Sequence, residues 1–275
     1  MTLSAISGFT LGGGGVVSLI RKAVVSAVKE PARELLYFSS ASRPKKILFD
    51  HLPKCGGSSL NAYLQAHYPR RKTFSTKGYN SMESVDKFKN LPEADRHGYD
   101  YVKGHMAHEL LDWAHPESLK VTLFRDPVER IISHYYYAKT TTTHYLYSRI
   151  RTLGISLEHY ITQDEMSVEL RNWYTTHFSG MTIKEAENNP KEAVSRALNA
   201  VLNGYDLVGF LDNFSSFAEK LRARANLRYP YHDQRVNVTA GRPPKDTIES
   251  FTIRKIEQVN FLDVSFYNTL TEAVA

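Results

Sequence analysis

The chain has 275 residues, 42% of them hydrophobic, with a mean hydropathy of −0.39, a formal net charge of +6 and a pI near 9.2. Those values suit one soluble α/β domain with a sizeable core, without repeats or long low-complexity segments. A single cysteine, Cys55, excludes an intrachain disulfide and favours a reducing compartment, the cytoplasm.

The basic balance suits a polyanionic ligand, or is simply a cationic surface. No zinc spacing and no RNA-binding signature points to nucleic acid. Nothing in the sequence specifies an oligomeric state.

Residues 1–44 read as a tail with a short helix, and 45–275 as the folded domain. Leu3 to Ile20 is mildly apolar but is interrupted by Gly12-Gly13-Gly14-Gly15. It lacks a charged n-region and an obvious cleavage site, and its length is marginal for a spanning helix. Val16 to Leu36 has the pattern of an amphipathic helix that docks on a membrane or a partner.

Lys46–Asp50 reads as a buried strand, followed by His51-Leu52-Pro53-Lys54-Cys55-Gly56-Gly57-Ser58-Ser59 and a helix over Ser58–His67. Strand, glycine-rich turn and helix make a phosphate cradle. Glycines let backbone N–H groups approach an anion, and the helix N-terminus adds positive potential. Lys54 precedes the glycines, whereas the Walker pattern places its lysine after them, which weakens a kinase-like reading. The competing reading is a tight turn that needs glycine for its backbone angles alone. Pro69-Arg70-Arg71-Lys72 reads as a solvated turn.

A short helix is expected over Ser81–Lys89 and a strand over Tyr101–Lys103, ending at Gly104-His105. Val121–Phe124 is the next strand, and it runs into Arg125-Asp126-Pro127-Val128-Glu129. Asp126 suits an N-cap, Pro127 the first helical position, and Glu129 the other half of a capping box. The helix spans Pro127–Tyr137. Arg125 stands at the strand end, where open α/β sheets bind ligands. Ser133 lies two turns on, within reach of the same anion. Alternatively Arg125 pairs with Asp126 or Glu129, and Ser133 faces solvent.

Thr140 to Asp164, polar and aromatic, is expected to shape an acceptor cleft. Helices follow over Lys191–Leu202 and Phe214–Arg224, with a strand at Leu207–Phe210 between them. Alternating strands and helices imply a parallel sheet covered on both faces.

The two glycine- and arginine-bearing segments together resemble the sulfotransferases that use 3′-phosphoadenosine-5′-phosphosulfate (PAPS). Residues 51–60 are similar to that family's 5′-phosphosulfate loop, and residues 125–136 to its 3′-phosphate motif. The likeness is to the branch of bacterial carbohydrate sulfotransferases and heparan sulfate 2-O-sulfotransferase, and it runs from about Lys45 to about Thr271. Tyr205–Phe214 resembles the branch's late strand and helix, and Ile256–Tyr267 its C-terminal helix. The fold so implied is a P-loop-like, three-layer α/β fold with a central parallel sheet flanked by helices.

The resemblance implies roles. Lys54 stabilises the leaving group, as a mobile ammonium can. Cys55, Gly56, Gly57, Ser58 and Ser59 form the 5′-phosphate loop. Within it Cys55 reads as packing, at a position where the family tolerates other small residues. Arg125 and Ser133 hold the 3′-phosphate; the arginine fork suits paired phosphate oxygens.

His105 resembles the catalytic base of the branch, in a Gly-His pair preceding Arg-Asp-Pro. The alternative is a structural or surface histidine, of which the chain has 11 in all. Lys103 and His51 are weaker candidates, and Asp50 has no motif support. Arg235, in the stretch 234–239, resembles a loop over the nucleotide. The acceptor implied is a carbohydrate or other hydroxyl compound, and the chemistry requires no metal.

One stretch departs from the pattern. Within Asn172–Gly180, the branch's Gln and Arg are replaced by Tyr174 and Thr176. Either the acceptor differs or Trp173, Tyr174 and Phe178 are core residues. An atypical nucleotide or sugar kinase, and a non-catalytic nucleotide or glycan binder, are the competing functions.

Overall fold

Ile47, Leu48 and Phe49 are fully buried, as an apolar run between a lysine pair and a turn segment requires. They form strand β1 (Ile47–Asp50) at the centre of a five-stranded parallel sheet. Its other strands are β2 (Thr73–Ser75), β3 (Tyr101–Gly104), β4 (Leu119–Phe124) and β5 (Leu207–Phe210), in the order β2-β3-β1-β4-β5. The computed structural model describes residues 30–39, 43–76, 81–162, 170–232, 239 and 241–274.

The helices are α1 (30–39), α2 (Gly57–Gln65), α3 (Ser81–Lys89), α4 (Glu93–His97), α5 (Pro127–Thr140), α6 (Tyr147–Thr152), α7 (Leu157–Thr162), α8 (Trp173–Ser179), α9 (Ile183–Asn188), α10 (Pro190–Gly204), α11 (Phe214–Ala225), α12 (Ser250–Val259) and α13 (Phe261–Val274). Residues alternate across the pleat. Ile47, Phe49, Val121 and Leu123 pack with Leu60 and Leu64 of α2 and Leu221 of α11. Leu48 and Val102 point the other way, onto Val85 and Phe88 of α3. The result is the expected three-layer α/β architecture.

Helix α1 joins the first of these cores through Tyr37, whose hydroxyl donates to Asp100 Oδ2 at 2.7 Å. The rest of the amphipathic stretch expected over 16–36, residues 16–29, lies outside the described residues. No helix among the described residues is long and apolar enough to cross a membrane.

Two expectations need correction. Among the described residues of the Thr140–Asp164 stretch, only His144 lines the large cleft described below. The stretch's Leu146, Ile150, Ile155, Leu157, Tyr160 and Ile161 pack in the core cluster that includes α5, and its polar residues are mainly exposed. The C-terminal helix expected over Ile256–Tyr267 is two helices, α12 and α13, separated at Asn260. Asn260 is buried, and its Oδ1 accepts from the Asn172 backbone N–H at 3.0 Å. That tertiary bond takes over a polar group that a continuous helix would leave unsatisfied.

Candidate active site

The register brings three strand ends side by side. Asp50 at the end of β1 pairs with Gly104 of β3 on one side and Thr122 of β4 on the other. Lys54 follows β1, His105 follows β3 and Arg125 follows β4. All three line one cleft of about 1290 Å³ at the carboxyl edge of the sheet, beside the point where the chain reverses its direction of winding.

Lys54 adopts a left-handed backbone conformation (φ 64°), and so does Gly56 (φ 79°). A Cβ at Gly56 would meet Leu211 Cδ1 at 2.5 Å, and one at Gly57 would meet His51 Cδ2 at 2.0 Å. Both glycines are therefore required sterically, which the tight-turn reading predicts. The anion reading is not displaced by this. No side chain caps the N-terminus of α2, and its first turn carries no acid. The helix thus keeps its positive end toward the cleft.

The ammonium of Lys54 lies 3.6 Å from the ring centroid of Tyr137 on α5. Burial, and then the Arg125 charge, bring its pKa down from 10.5 to about 8.

Arg125 Nη1 donates to the Lys54 carbonyl at 3.3 Å, so the two motifs touch. Arg125 Nη2 donates to Glu129 Oε2 at 2.8 Å. The ion pair weighed against function therefore exists, yet it coexists with a position in the cleft. The Asp126 side chain caps α5 by accepting from the Glu129 N–H at 2.8 Å. The Glu129 carboxylate does not complete a capping box. It is held by Arg125 and by Arg242, whose Nη2 donates to the same oxygen. Burial works to raise the Glu129 pKa, but these guanidiniums outweigh it and hold it below the usual range. Ser133 is buried at the cleft wall rather than facing solvent.

Cys55 is fully buried, in accord with its reading as loop packing, and burial pushes its thiol pKa up. Its Sγ lies 3.0 Å from the Tyr174 hydroxyl. That hydroxyl also donates to the Arg125 carbonyl at 3.0 Å and accepts from the Arg125 N–H at 3.3 Å. Tyr174 is thus core, and it is the joint between the two motifs. Its own position is set by Asp263, whose carboxylate accepts from the Tyr174 and Thr175 N–H groups at 3.0 and 2.8 Å.

His105 Nδ1 lies 2.6 Å from the His51 carbonyl. A carbonyl only accepts, so Nδ1 carries a proton; in the neutral ring this tautomer leaves the Nε2 lone pair free, the form a general base needs. The His51 and His105 rings lie 4.6 Å apart. Burial, more than the neighbouring basic groups, holds the His51 pKa down to about 3. Lys103 donates to Asn61 Oδ1 at 2.7 Å and does not line the cleft. Asp50 is buried beneath the sheet edge, with Oδ2 accepting from the Tyr205 hydroxyl at 2.7 Å. Arg235 lies outside the described residues.

Sequence reasoning passed over Arg242 and Tyr137, while the Arg125–Glu129 pair is one of the alternatives it offered. Arg242 stands in a loop with no periodic or motif signal; only its meeting with Glu129 across the fold reveals it.

Residues 40–268 match the model of a family described as "Sulfotransferase family". The chain belongs to the sulfotransferase family. The match spans both glycine- and arginine-bearing motifs and the C-terminal helices that position Tyr174. No curated protein matches this sulfotransferase at a significant level.

Proposed function

We propose that this sulfotransferase moves the sulfuryl group of PAPS onto an acceptor hydroxyl. The observation that carries the reading is the single cleft in which Arg125 contacts Lys54. PAPS supplies the sulfuryl group and a phosphate leaving group. The cleft is large enough for a nucleotide and an acceptor together, and its cations suit a polyanion.

Transfer of this kind is served by positioning and electrostatics. The N-terminus of α2 and the Gly56–Ser59 backbone hold the 5′ end. Lys54 offsets charge at the bridging oxygen. Arg125 and Ser133 hold the 3′-phosphate, with Arg242 beside them. His105 Nε2 takes the acceptor proton, while the His51 carbonyl holds Nδ1–H and stabilises the imidazolium that forms.

The acceptor is a carbohydrate, as in the branch the sequence resembles; Tyr231 in the cleft lining offers an aromatic surface for a sugar ring. Residues 45–275 form the catalytic unit, with α1 packed onto its core through Tyr37. The protein works in the cytoplasm, and its N-terminal segment is the means by which it reaches a membrane surface.

The experiment is transfer of labelled sulfate from PAPS to a panel of glycans, in the absence of metal. Wild type should label an acceptor and His105→Ala should lose about 10²-fold or more in turnover. Full activity in His105→Ala removes that residue as base, and Mg²⁺-dependent ATP consumption in place of sulfate transfer removes the sulfuryl reading.

A further inference from the structure

One buried side chain, Asp50, and two half-buried histidines outside the cleft converge without satisfying one another. Asp50 ends β1 and is fully buried. His108 lies on the short turn after β3, and His177 on α8. Each offers a ligand atom such that all three lie within 4.8 Å of one another. Asp50 Oδ1, His108 Nδ1 and His177 Nε2 are each shielded from solvent and have no hydrogen-bond partner. Orphaned buried polar atoms are costly, and three pointing into one place require a common partner.

We propose that Asp50, His108 and His177 form a binding site for a divalent transition metal of the zinc class. Two imidazoles and a carboxylate are the donor set such ions take. The surrounding bonds prepare it. Glu109 Oε1 lies 3.5 Å from His108 Nε2, which directs that proton outward and leaves Nδ1 with its lone pair. Lys89 holds the other Glu109 oxygen at 3.0 Å. The Tyr205 hydroxyl fixes the Asp50 carboxylate from the far side. Trp173 stacks on His177 at 4.4 Å between centroids and sets its ring plane. Zinc draws such ligands to about 2.0–2.2 Å from itself, so binding closes the triangle by small side-chain rotations.

None of the three residues lines the cleft that holds Lys54 and Arg125. The ion is therefore structural. It ties β1, the turn after His105 and the helix carrying Tyr174, which are the elements that hold the reactive groups. The site stands whether or not the sulfuryl reading holds.

The test uses the full chain, loaded with Zn²⁺, dialysed into metal-free buffer and assayed for metal by mass spectrometry, with thermal unfolding before and after EDTA. Stoichiometric Zn²⁺ is expected, with a melting temperature about 5 °C above that of the stripped protein. His108→Ala and His177→Ala should each lose both. Absence of retained zinc and of any shift in wild type overturns the proposal, as does retention of both in the double variant. Should the variants fail to fold, Co²⁺ in wild type decides: intense tetrahedral d–d bands support the site, and the weak spectrum of the hydrated ion overturns it.

Discussion

The guanidinium of Arg125 donates to the backbone carbonyl of Lys54 across 3.3 Å, joining residues that stand 71 positions apart in the chain. The contact exists because β1 and β4 are neighbours in parallel register and both loops leave at the same edge. A phosphate-binding loop and an arginine are common apart. Their contact places both in one cleft, the basis of the proposal that they grip a single bisphosphate nucleotide.

Lys54→Ala tests the leaving-group role. Turnover should fall on the order of 10²-fold or more, the cost of removing one preorganised charge donor. The melting temperature should hold or rise, because the lysine is a partly desolvated cation. Single-turnover sulfate transfer and a thermal melt check both; unchanged turnover contradicts the role.

Gly57→Ala tests the support of the base without touching it. The new methyl would collide with the His51 ring, and the His51 carbonyl holds His105 Nδ1. The sharper expectation is a fall in kcat with a smaller change in nucleotide affinity. Equal loss in both would place the glycine in donor binding alone.

The depressed Lys54 pKa, about 8, predicts a proton signature. Between pH 8 and the unfolded value of 10.5 the folded chain has released this proton while the unfolded chain keeps it, so stability rises with pH across that window. Below pH 8 both states carry the proton and the cost of the buried cation stays constant. A phosphate placed beside the amine reverses the shift. Binding of 3′-phosphoadenosine 5′-phosphate at pH ~8.5 should therefore take up a proton, read by calorimetry in buffers of different ionisation enthalpy. Lys54→Ala should abolish that uptake.

Tyr174→Phe removes the hydroxyl shared by Cys55 and the Arg125 backbone. It should destabilise the protein by about 1–2 kcal/mol in denaturant unfolding, the usual cost of orphaning buried partners. Nucleotide affinity should fall as well, since both motifs lose their joint. A variant with wild-type stability and affinity would show that the joint is unimportant.

Four of the five strands were readable because they are short apolar runs bounded by turn residues, as at Ile47–Phe49 and Val121–Phe124; the edge strand β2, Thr-Phe-Ser, carries no such run. Asp126-Pro127 marked the α5 start for the same local reason. The break at Asn260 was not readable: apolar periodicity continues across it, and the bonds made there are to distant Asn172, which takes the Leu262 N–H and gives its own to Asn260. Thr140–Asp164 misled because its tyrosines and threonines suggested a cleft, while packing against α5 buries them or their apolar neighbours. Arg242 and the Tyr174 joint depend on contacts between distant segments, which periodicity does not encode. Recognition of the two motifs as a pair depended on family likeness; local physics alone left each open to a bland reading.

The most direct test compares two ligands in two proteins. Dissociation constants for 3′-phosphoadenosine 5′-phosphate and for 5′-AMP should be measured with wild type and Arg125→Ala. If Lys54 and Arg125 grip opposite ends of one nucleotide, the substitution weakens the bisphosphate by about 10- to 100-fold and 5′-AMP far less. Equal weakening of both ligands, or of neither, would contradict the account.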